Sequence, residues 1–155
     1  MPWYAYSATV NSVTIASCSN LVQLKSTGVT YELLRGWVSQ DASVTSAQAP
    51  IQLCKKSAAG DVAPFTPLHV TSTQDPTSAM VASSSGTGTF TSTAAFGTDG
   101  DVLLYDGFNV LNGWLYLPVP EERPTIAAGG IVALRFPIAV GSESWDAGLL
   151  WRENR

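Results

Sequence analysis

Chemistry needs side chains that can hold a proton, a metal or a reacting carbon, and this 155-residue chain is poor in them. It has one histidine, His69. Zinc and cupin-type metal centres draw on two or more imidazoles, so a lone one removes most of them, and multi-histidine catalysis with them. A Ser-His-Asp triad built on His69 would lack the G-x-S-x-G elbow that presents the serine. Asp99, Asp101 and Asp106 cluster in TDGDVLLYDG. Oxygen-rich acidic loops bind calcium, but this spacing departs from the EF-hand pattern, and Asp-Gly pairs are ordinary hairpin chemistry. Glu121, Glu122 and Arg123 form a charged loop tip. Glycoside hydrolysis needs two carboxylates opposed across the scissile bond, which neighbours on one loop do not provide. The tip reads instead as solvated, or as salt-bridging between subunits. Cys18 and Cys54 are too few for a disulfide scaffold and read as small buried thiols, able to pair only if their strands are neighbours. No catalytic, cofactor-binding or metal-ligating set is expected, and the chain does not read as an enzyme.

Composition narrows the partners. Charged residues make up 13% of the chain, about half the usual globular share of roughly 25%. Eight Lys+Arg against twelve Asp+Glu give a net charge of −4, which cannot supply the basic field that nucleic-acid phosphates require. No apolar run approaches the ~20 residues needed to span a bilayer as a helix, and MPWYAYSATVNS lacks the basic start and long apolar core of a signal peptide. The expectation is a cytoplasmically made protein with no nucleic-acid and no membrane partner. The hydrophobic fraction of 45% suffices for one core. Ser, Thr, Ala and Gly fill the places that charges usually take, and such a surface suits packing against other proteins.

The elements that would position these residues are strands. Trp114 to Leu117 is short and aromatic, stopped by Pro118 and Pro120. Ile131 to Phe136 is opened by Gly129-Gly130 and stopped by Pro137. In that second run Val132, Leu134 and Phe136 share one face, while Ile131 and Ala133 make the other face apolar too. Such a strand is buried on both sides, or has one side against another subunit. Leu115, Ile131, Ala133 and Leu149 are the candidates for that contact. Tyr31 to Gln40 reads as strand over helix because of Gly36, Trp37 and Val38. Ile51 to Cys54, Asp101 to Tyr105 and Trp145 to Arg152 follow the same pattern. Phe65 to Val70, interrupted by Pro67, is at best an edge strand. Pro76 to Thr98 reads as strand plus loop, with Met80, Val81, Phe90 and Phe96 as anchors. Asp106-Gly107 and Asn112-Gly113 read as turns. Residues 1–12 read as an N-terminal arm whose Trp3, Tyr4 and Tyr6 dock on their own domain or on a neighbour. Residues 13–155 read as the folded domain. Short strands with turn signals between them, and no convincing helix, predict a single antiparallel β-sandwich.

The chain also resembles small proteins encoded in the structural gene blocks of tailed bacteriophages and prophages. The resemblance is carried by LLRGWVSQDASVTSAQAPIQLCKKSA, FTPL, TDGDVLLYDGFNVLNGWLYLPVPEERPTI, GGIVALRFP and AGLLWRE, which cover most of the chain after Tyr31. Related phage proteins look like capsid cement, or decoration, proteins. The resemblance implies a jelly-roll-like sandwich on the outside of a phage head, with the major capsid protein and its own copies, as a homotrimer, for partners. The alternative within the same setting is a tail- or fibre-associated module that recognises a host-surface glycan through exposed aromatic rings.

Overall fold

The computed structural model describes residues 3–15, 19–41, 46–59, 63–71, 76–84, 99–138, 140 and 143–154. Cys18, Phe90 and Phe96 lie outside them. The described residues form twelve strands: β1 (Trp3–Ile15), β2 (Ser19–Ser26), β3 (Thr30–Gln40), β4 (Gln48–Lys56), β5 (Ala63–Phe65), β6 (Leu68–His69), β7 (Met80–Ser84), β8 (Asp99–Asn109), β9 (Trp114–Tyr116), β10 (Thr125–Ile126), β11 (Ile131–Phe136) and β12 (Glu143–Asn154). Among these residues the only helical element is a 3-10 turn at Pro120–Glu122.

Two antiparallel sheets pack face to face. The first runs β10-β3-β12-β1-β6, with β9 also on β3; the second runs β5-β7-β2-β11-β4-β8. This is a β-sandwich. Alternation along each strand sends one set of side chains to the shared core. From the first sheet come Tyr6, Ala8, Leu33, Val38, Trp145, Ala147, Leu149 and Trp151; from the second, Val22, Leu24, Ile51, Leu53, Phe108, Val132, Leu134 and Phe136. An aromatic cluster joins the layers, with the Trp145 ring edge-on to Phe136 at 4.7 Å and to Phe108 at 6.1 Å. Such pairs add about 0.5–1.5 kcal/mol beyond their buried area. Pro67 divides the 63–70 stretch into two short edge pieces, β5 on one sheet and β6 on the other.

Of the two docking modes expected of the N-terminal arm, on its own domain or on a neighbour, the described residues take the first. Residues Trp3 to Ile15 are a strand of the first sheet, paired with β12 from Trp3↔Asn154 to Ile15↔Glu143. Tyr6 is fully buried, its ring 6.1 Å from that of Trp151, and its hydroxyl donates to the Pro76 carbonyl at 2.5 Å. Tyr4 is half-buried against the same core. The boundary at residue 12 falls on a bulge rather than on a hinge. The register shifts between Val10 and Val13, and Ser12 takes a left-handed φ of 51°. That geometry is held from two sides. The Ser12 amide donates to Asp146 Oδ1 at 2.7 Å, and its hydroxyl donates to Asp41.

Two expected turns are corrected. Asp99-Gly100 and Asp106-Gly107 lie inside β8, paired with β4. The reversal comes later, where the Asn112 amide bonds the Asn109 carbonyl at 3.0 Å and Gly113 adopts φ +69°.

Candidate functional site: the outer face and edges of the first sheet

The sites expected from sequence divide by which face of a sheet they occupy. Ile131 and Ala133 are buried although they point away from the shared core. Strand β11 sits between β2 and β4, and its second face also carries the buried Gln23, Gln52 and Cys54. Arg135 bonds Gln52 Oε1 there through Nε at 2.9 Å and Nη2 at 2.7 Å. Both faces of the strand are covered within the chain, so Ile131 and Ala133 are not available to a neighbour. Leu149, 1% exposed, faces the shared core and is not available either. Leu115 and Trp3 are exposed, on the outer face of the first sheet.

That outer face is built by β3, β12 and β1. On β3, alternation sends Val38 inward and Trp37 outward, and Leu115 of β9 stands opposite Trp37. The Trp37 indole lies flat against β12 where Gly148 provides no Cβ, and the Arg35 guanidinium stands 5.3 Å over the ring. Ser39, Asn112, Gly113 and Leu115 continue this corner as a shallow open groove. Toward the other edge, Arg152 stacks 4.4 Å over Trp3 and bonds Glu32 Oε2 through Nη2 at 2.8 Å and Nε at 3.0 Å. Each half-exposed tryptophan on this face therefore carries an arginine.

Both edges of the sheet leave apolar side chains in water. Beyond β9 the chain leaves the sheet at Leu117 and returns when the Leu33 amide bonds the Pro124 carbonyl at 3.1 Å. This excursion, LPVPEERP, exposes Leu117 (67%) and Val119, followed by exposed Glu121 and Glu122. Arg123 is half-buried, and its Nε meets no partner among the described residues. Burial first, and the Glu122 carboxylate second, push the Tyr116 hydroxyl above its usual pKa. At the opposite edge, β6 and the residue after it expose Leu68 (63%) and Val70, which flank β1 near Trp3.

The groups considered for chemistry are scattered. His69 packs its ring 5.3 Å from that of Tyr6 at the β6 edge. Asp106 accepts the Trp114 indole N–H at 3.1 Å and the Gly107 amide at 2.8 Å. Among the described residues no three of His, Cys, Asp and Glu gather in a way that could hold a metal ion. Cys54 is buried, its Sγ 3.8 Å from the Ala133 carbonyl. Sequence reasoning missed the Arg35–Trp37 and Arg152–Trp3 stacks. The i, i+2 spacing of Arg35 and Trp37 on one strand face was the signal for the first. The second joins residues 149 positions apart, for which no local signal exists.

The known proteins add nothing to this description. No protein-family model, curated protein or solved structure matches the chain.

Proposed function

We propose that this chain is a structural virion protein, a capsid cement or decoration subunit that binds the major capsid protein on the outside of a phage head. It assembles with its own copies as a homotrimer and is made in the host cytoplasm. The jelly-roll connectivity implied by the resemblance is part of the same proposal. One observation carries it: the first sheet leaves exposed apolar side chains at each of two opposite edges, Leu115, Leu117 and Val119 on one side and Trp3, Leu68 and Val70 on the other. A subunit that reinforces a shell must hold two partners at once, and so needs two surfaces that do not overlap. Its contacts are individually weak, and joining several in one assembly multiplies their effect through effective concentration. Large exposed apolar side chains on a sparsely charged surface supply such contacts without a cofactor or an active site.

The glycan-binding alternative is less well supported. Sugar rings stack on open aromatic faces, whereas Trp37 lies on Gly148 beneath Arg35, and Trp3 lies beneath Arg152. Co-sedimentation with expanded, empty phage heads tests the proposal. Saturable binding that raises the temperature of head disruption is the expected result. Binding to host cells or purified surface glycans, with none to heads, would reverse the preference.

A further inference from the structure

We infer that the Val119–Glu122 tip of one copy docks on the Arg35–Trp37 corner of a second copy of this chain. The inference rests on the assembly reading above and assigns one of its two edges to contact between copies.

The tip is preformed. It is tied down on one side by Tyr116 paired with Gly36, and on the other by the Leu33–Pro124 hydrogen bond. Within it, the Glu122 amide bonds the Val119 carbonyl at 2.9 Å. Val119 is extended, with φ −65° and ψ 157°, between Pro118 and Pro120. Prolines fix φ on both sides, so little chain entropy remains to be lost on docking. A loop this constrained that still exposes Leu117 and Val119 has the form of a knob.

The corner is its chemical complement. Arg35 is exposed and makes no ion pair among the described residues. The guanidinium stands 5.3 Å over the Trp37 ring and forms no ion pair among the described residues, and a planar fork of donors suits a carboxylate. Trp37 cannot sink further, because β12 lies directly beneath it at Gly148. Leu115 supplies exposed apolar surface beside the fork, as Val119 does beside Glu121 and Glu122. Acid and apolar on one element meet base and apolar on another, and within one chain the two do not pair. Both lie on the β3 edge, so a second copy can satisfy both. A head-to-tail arrangement that closes as a three-membered ring, the homotrimer proposed above, makes the contact three times.

Sedimentation velocity on the full chain, read together with its thermal unfolding, tests this. Wild type should associate at concentrations up to about 100 micromolar, the range expected of a small interface. Arg35→Glu and the pair Glu121→Lys with Glu122→Lys should each weaken association about tenfold or more, since like charges then face each other across the contact. All three positions are exposed, so unfolding temperatures measured on dilute, unassociated protein should stay put. Combining the three substitutions in one chain restores opposite charges and should restore association. A monomeric wild type, an unchanged Arg35→Glu assembly, or a triple variant as dissociated as its parents would each overturn the inference. Head binding is measured in parallel. A monomeric wild type that still decorates heads removes this interface and leaves capsid attachment standing, whereas associated protein that ignores heads does the reverse.

Discussion

The Trp37 indole fills the space that a side chain at position 148 would need: a Cβ built on Gly148 would stand 2.0 Å from Trp37 Cζ2 and 2.4 Å from Cη2. These two residues are paired across β3 and β12, and they make the outer face of the first sheet flat at that point. Gly148→Ala must push the ring outward, at a cost of about 1–3 kcal/mol. The emission of Trp37 should shift to longer wavelength as the ring enters water. In a Trp37→Ala background the same substitution should be nearly neutral, so a double-mutant cycle by urea unfolding isolates the contact. Additive losses would show that Gly148 is needed for another reason.

Glu153 is fully buried at the end of β12 and fastens the 76–79 segment to the first sheet. Its carboxylate accepts the Ala79 amide at 3.0 Å, the Trp151 indole N–H at 3.1 Å and the Ser78 hydroxyl. Glu153→Ala leaves buried donors without an acceptor and should cost about 2–4 kcal/mol. Glu153→Gln keeps one acceptor oxygen and should cost less. Equal losses in the two variants, measured by chemical denaturation, would point to packing rather than hydrogen bonding as the reason.

Tyr31 should make the fold sensitive to alkali. Burial drives its phenol well above the ordinary value. The unfolded chain therefore loses this proton first, at about pH 10, while the folded chain keeps it. Above that pH the unfolded state binds fewer protons, so stability falls as pH rises, by about 1.4 kcal/mol per pH unit for one group. Below pH 10 this contribution is fully present. The hydroxyl meets no hydrogen-bond partner among the described residues. Tyr31→Phe should therefore be as stable as wild type at pH 7 and flatten the loss between pH 10 and 11.5. A variant that is less stable by more than about 1 kcal/mol at neutral pH would reveal a partner for the hydroxyl.

Arg152 joins three strands, bonded to Glu32 of β3 and stacked on Trp3 of β1 from its own place on β12. With the two ion-pair side chains 33% and 17% exposed, solvent screens part of the attraction. Arg152→Ala should cost about 1–2 kcal/mol in total. Arg152→Lys should recover less than half, because an ammonium cannot both fork to a carboxylate and stack on an indole. Full recovery by lysine, in thermal unfolding at low salt, would reduce the site to simple charge attraction.

Much of the fold is legible in local residue order. Ile131 to Phe136 is a strand with the bounds its glycines and proline mark, the runs at Tyr31, Ile51, Asp101 and Trp145 are cores of longer strands, and the run at Trp114 ends one residue early, at Tyr116. Apolar, branched and aromatic residues between turn formers are enough, because strand formation is decided over five or six residues. The poverty in imidazole and thiol is equally plain in the composition. Other features depended on distant pairing. The period-2 pattern of Tyr4, Tyr6, Ala8 and Val10 is visible in the first dozen residues, yet its meaning came from β12, more than 130 positions away. Ile131 and Ala133 look like contact residues until neighbouring strands cover the second face of β11, while Leu115, equally apolar, stays outside because it points to the outer face of the first sheet, opposite to the buried Trp114 beside it. A strand's alternation fixes which side chains share a face. Whether that face meets core or water is fixed only when the whole sheet has assembled around it.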